Sequence, residues 1–274
     1  MNTDSHLRQS ASSLFSPSLL SSRGRAGHDF HREKSMSDLN EGLSSSRLRL
    51  ILVPGVITFA VTLLRLTGEL RHWSEKWFSS ETGGVIPHGV SWVIGITWLA
   101  AIFGIYFALK LARGGHRPRS LAKAAIFAGL GVVIFFGFEP VVVRIHAVFN
   151  VDFPQILIFT WFFWILAGVL QYFGWPELFK VLLLYAYAAR IPVAIVMFFA
   201  MLGQWGTHYD YVGTPLQSSM SLIPRFLWLA FFPQLVAWVG FTITLGAVAG
   251  ILALAISRLS QLLLRRKVIS VDVS

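Results

Sequence analysis

The sequence predicts an all-α polytopic membrane bundle of about six transmembrane helices behind a disordered N-terminal tail. Three observations predict it. Hydrophobic residues make up 55% of the 274 positions and charged residues only 13%, with a mean hydropathy of +0.64, whereas soluble domains carry about a quarter charged residues. The apolar residues gather in runs long enough to cross a hydrocarbon core of about 30 Å at about 1.5 Å per helical residue. Basic connections and Trp or Tyr residues punctuate those runs, as they do at membrane interfaces.

Residues 1–46 differ from the rest. They are rich in Ser and carry both signs of charge, with Arg8, Arg23, Arg25, Arg32 and Lys34 against Asp4, Asp29, Glu33, Asp38 and Glu41. Such a stretch cannot bury enough apolar surface to offset its ordering entropy, so a disordered tail is expected. Leu14 to Leu20 is short and interrupted by Ser and Pro, which is not the continuous apolar core of a signal peptide. Met36 opens a stretch that would serve equally well as a natural start.

The membrane domain is expected over 47–257. Its first span covers about Leu48 to Leu70, the second Gly89 to Ala112, the third Leu121 to Val143, the fourth Pro154 to Phe173 and the fifth Glu177 to Leu202. The stretch from Leu222 to Ile256 is too long for one crossing, so it divides into an interfacial piece ending near Phe232 and a sixth span from Pro233 onward. Trp73, Trp77, Trp92, Trp175, Trp205 and Trp228 fall near span ends, where an amphipathic ring is favoured. Gly246 and Gly250 form a GxxxG on the last span, and Ala125 and Gly129 repeat small-xxx-small on the third; both allow close helix approach within the bundle. Residues 258–274 form a C-terminal extension, with Leu259, Leu262 and Leu263 on one side of a helix expected to lie on anionic lipid.

Basic residues set the orientation. Lys110, Arg113, Arg117, Arg119 and Lys123 crowd the connection between spans two and three, and Arg258, Arg265, Arg266 and Lys267 the C-terminus. By the positive-inside rule both belong in the cytoplasm, and an even span count puts the tail there too. The net charge of +10 then lies wholly on that side, while the remaining acids and bases balance. The pI near 10.4 therefore reflects topology and attraction to anionic lipid, not nucleic acid. An integral protein of a bacterial inner membrane, with both termini cytoplasmic, is the expected localisation.

Composition also limits the chemistry. With no cysteine there is no disulfide, thiolate nucleophile or Cys-ligated metal. No P-loop, nucleophile elbow, metalloprotease helix, EF-hand loop or dinucleotide fingerprint occurs, so no cofactor is expected and catalysis is not the leading reading.

The strongest local signal is Arg190, about 20 Å along the fifth span from Glu177 and too deep for easy snorkelling. Pro192 follows and frees the carbonyl of Ala188 as a nearby acceptor. Glu139, near the outer end of the third span, is the natural partner for this arginine. Arg65 and Glu69 form an i, i+4 pair at the same boundary, which either neutralises itself or takes part in a ligand site. The loop from Gly203 to Pro215 is dense in aromatic and hydrogen-bonding side chains, and His208, Tyr209 and Asp210 are expected at the mouth of any site. His72, His88, His146 and His208 all map to the outer side, but none has helical metal-ligand spacing.

Three functions fit these residues. The first is an outward-facing polar cavity around Arg190, Glu139, Arg65 and Glu69 that binds or transports a small anionic or amphipathic solute. The second is a membrane assembly or accessory subunit in which the charged groups only fix helix packing. The third is a histidine and carboxylate metalloenzyme at the outer face.

Overall fold

The computed structural model describes residues 48–78, 95–149, 153–212 and 218–271. The tail, His88 and Trp92 lie outside the described residues, as do the side chains of Glu139 and His146. All the described regular structure is helical. Among the described residues, four helices are long and apolar enough to cross a membrane, and the chain is an integral membrane protein.

Helix α1 spans Leu48–Leu70, as the hydropathy predicts. His72 ends it at φ 50°, with its N–H donating to the Glu69 carbonyl and that of Trp73 to the Gly68 carbonyl, an αL helix stop adopted here by a residue other than glycine. Helix α2 spans Leu99–Arg113. The expected second span begins ten residues earlier, but 95–98 are bends and turns. At 15 residues, α2 is about 22 Å long, short of a full crossing. Irregular backbone at such a depth is stable only where protein or a polar cavity satisfies it.

Helices α3 (Leu121–Phe149), α4 (Phe153–Gly174) and α5 (Pro176–Gly203) follow with connections of only a few residues. Both α3 and α5 continue through an internal proline, Pro140 and Pro192 respectively. The last apolar stretch runs through the expected division at Phe232 without a break in the helix. It is one continuous helix, composed of α6 (Leu222–Phe226), two π-helical turns (Leu227–Phe231 and Pro233–Ala237) and α7 (Trp238–Val271), with Leu222–Leu264 as its candidate membrane-crossing stretch. Pro233 lacks the N–H that an α-helical ladder needs, and the wider π turns absorb it without a break.

Helix α7 packs against α2, α3, α4 and α5. Glycines make this possible. A methyl group at Gly104 of α2 would collide with the backbone of Gly246, and one at Gly250 would lie 2.7 Å from the Gly104 carbonyl oxygen. The GxxxG thus joins two helices of one bundle, as expected. On α3 the expected pair is not the one that meets a neighbour. Gly129 has open space around it, whereas Ala124 meets Gly174 and Gly131 meets Gln171 and Ala167 of α4. Trp175, expected at an interface, is buried, and its indole N–H donates to the His116 carbonyl at 3.0 Å. It keeps the expected place at the span ends, between α4 and α5, where the indole finds both an apolar bed and an acceptor.

Helix α1 lies against α5. Gly55 faces Ala188, and the Thr58 and Tyr185 hydroxyls are 2.9 Å apart. The Tyr185 ring sits edge-on to Phe103 and Phe107 of α2. This cluster closes the core beneath the region where Arg190 emerges one helical turn further on.

Candidate functional site

Arg190 is buried, with 4% of its surface exposed. Its neighbours come from the π-helical segment and the start of α7. One terminal nitrogen donates to Gln234 Oε1 at 3.4 Å, the other to Thr242 Oγ1 at 3.5 Å. Both bonds are longer than the usual range of about 2.7–3.2 Å, so both are weak. The guanidinium carbon lies 4.9 Å from the ring centre of Trp238, a cation–π contact that gains strength where water is excluded. Among the described residues, Arg190 Nε has no hydrogen-bond partner. The partners described for this cation are therefore an amide, a hydroxyl and an indole face, none of them charged. Glu139, expected as its counter-ion, has no described side chain.

Arg190 borders a cavity of about 170 Å³ lined also by Thr62, Arg65, Gly95, Val193, His208, Tyr209, Gln234 and Trp238, with Ile96 and Thr97. Among the described residues, the lining contains two arginines and a histidine and no carboxylate. The bends at 95–98 immediately precede α2, so the positive end of that helix dipole also begins at the wall. This explains what the irregular backbone does there: it opens a polar recess between α1, α5 and the last helix.

Arg65 and Glu69 do form the expected pair, Arg65 Nε to Glu69 Oε1 at 2.9 Å. Glu69 goes further than self-neutralisation. It also accepts from the backbone N–H of His208 at 2.9 Å and faces His208 Nδ1 at 2.6 Å. The carboxylate thus ties α1 to the loop after α5, a contact across 139 positions.

The loop is shaped locally. Gln204, at φ 50°, turns the chain out of α5. Asp210 then gathers Gly206 N, Thr207 N and Thr207 Oγ1 at 2.9, 2.7 and 2.8 Å. Asp210 is occupied in holding the turn and does not line the cavity. Tyr209 is buried, its hydroxyl donating to the Thr62 carbonyl at 3.2 Å, and burial pushes the phenol's pKa up. His208 has its pKa held below the ordinary histidine value, chiefly by burial, against the opposing pull of the Glu69 hydrogen bond. An ionised Glu69 can only accept, so the neutral imidazole carries its hydrogen on Nδ1 and leaves Nε2 as a free lone pair.

Arg65, Arg190, His208 and Tyr209 therefore share one cavity, Glu69 buttresses it and Asp210 shapes its loop. His72 is exposed at the end of α1, away from this cavity's lining. Among the described residues no three His, Asp or Glu side chains gather as a metal site would require. Gln234, Thr242, Trp238 and Thr62 were not anticipated from the sequence. Gln234 alone left a usable trace, as a lone amide inside the apolar run from Leu227 to Val239. The chain matches no protein-family model, no curated protein and no solved structure.

Proposed function

We propose that this membrane protein binds a small organic anion, a monocarboxylate in chemical class, in the cavity beside Arg190. One observation carries the reading: among the described residues, a buried guanidinium with weak neutral partners and an unpartnered Nε borders a recess that has a second arginine and no acid in its wall. Leaving a cation so compensated in a low-dielectric interior is costly, and a bound anion offsets that cost. A guanidinium fork fits a carboxylate with two parallel hydrogen bonds. Ile96, Val193 and the Trp238 ring provide an apolar wall for a short tail. The volume limits size, since an engineered cavity of about 150 Å³ accepts benzene. A ligand of this bulk is a short-chain or small aromatic acid, not a lipid.

The test is ligand-induced thermal stabilisation of the purified protein with acetate, butyrate, lactate, benzoate, phosphate and chloride. Saturable stabilisation by small carboxylates is expected, abolished in Arg190→Gln and partly retained in Arg190→Lys. If no carboxylate stabilises the wild type, or if Arg190→Gln responds equally, the site is not an anion site. Arg190 then serves packing, as in an assembly or accessory subunit, and its loss lowers abundance alone.

A further inference from the structure

We propose that the cavity takes up a proton together with its anion, and that His208 carries the proton. This rests on the anion site proposed above and adds its coupling. The geometry supplies both parts. His208 lines the same cavity as Arg190 and Arg65, its side chain is only 19% exposed, and Nδ1 is engaged by Glu69. The incoming proton goes from solvent to Nε2, and no other bond is made or broken.

The charges around His208 decide when that happens. From α1, Arg65 opposes an imidazolium and Glu69 favours it. From its own loop, Asp210 favours it and Tyr209, a neutral phenol, lies tilted against it with ring centres 3.8 Å apart. From α5, Arg190 stands in the same wall as a further cation, and Gln234 and Trp238 of the last helix are neutral. With the cavity holding no anion, Glu69 is shared between Arg65 and His208, and burial keeps the imidazole neutral. A carboxylate drawn in by Arg190 adds the negative charge that an imidazolium needs. Coupling of this kind is reciprocal: the anion raises proton affinity and the proton raises anion affinity. The net charge entering is zero, which is the inexpensive way to bring a carboxylate into a low-dielectric recess.

The experiment measures anion affinity of the full-length protein by calorimetry, from about pH 8 down to about pH 5.5. Lactate serves as the probe because it stays ionised, and two buffers of different protonation enthalpy report the protons taken up. The expected result is a dissociation constant that falls with pH, by at most about tenfold per unit, with up to one proton bound per anion. In His208→Gln, whose amide can still donate to Glu69, the pH dependence should vanish. Arg190-dependent binding that is flat with pH and takes up no proton overturns this coupling and leaves the anion site standing. Absence of lactate binding at every pH, with no other carboxylate bound, removes both.

Discussion

At the residue scale, the shared carboxylate of Glu69 does most to hold the site together. It is buried and accepts from Arg65 and twice from His208. Glu69→Leu would leave a guanidinium and an imidazole N–H without their carboxylate in a largely buried setting, and removing one partner of a fully buried pair costs at most about 3–5 kcal/mol. Chemical or thermal unfolding of the purified variant should show a loss of this order. His208 gives a second prediction, from pH. Its folded pKa lies below the ordinary value of 6.5, so the unfolded chain binds the proton more readily. The stability it contributes is present above that value and declines as pH falls below it. The melting temperature of the wild type, without added carboxylate, should therefore drop on acidification below about pH 6.5, and His208→Gln should flatten that part of the profile.

At the element scale, the last helix organises the bundle through what it lacks. Gly246 and Gly250 let α2 approach until backbone meets backbone at Gly104. Gly250→Val has no room and should destabilise by about 1–3 kcal/mol, the usual cost of overpacking. Gly129→Ala is its control. Open space surrounds that position, so the substitution should be neutral or gain about 0.5–1 kcal/mol from helix propensity. Comparing the two melting temperatures separates close approach from glycine content. The difference was invisible in the sequence, where both positions read as small-xxx-small. A helix presents a new face with every residue, and only the partner's position fixes which face is used. The π turns show the same limit. Pro233 predicted an interruption, but the helix widened instead and carried Gln234 and Trp238 round to Arg190.

At the scale of the whole molecule, the membrane class follows from local chemistry and the orientation from charge. An even number of crossings with basic connections inside would place both chain ends in the cytoplasm, as the sequence predicts. A fluorescent protein fused to the C-terminus should then be bright in a bacterial host, and tags at either end should resist labelling in intact cells. Tags labelled on opposite faces would mean that the short α2, or another helix, does not cross. The last helix bears on this too. Leu222–Leu264 is 43 residues, about 65 Å, roughly twice the hydrocarbon thickness, so one end must project beyond it.

The sequence by itself determined the membrane class and the bounds of α1, α4 and α5 to within a residue or so, and it singled out Arg190, Arg65 with Glu69, and the His208 loop, which the fold brings together. It could do so because hydrocarbon forces each backbone segment to satisfy its own hydrogen bonds, which makes a span a local property of about twenty consecutive residues. What surrounds the arginine was decided only by tertiary structure. Gln234 and Thr242 lie 44 and 52 positions from Arg190, and Glu69 lies 139 from His208. Contacts of that range depend on which helix faces meet, and a shift of one residue or one π turn in any of them would assemble different neighbours around the same charge.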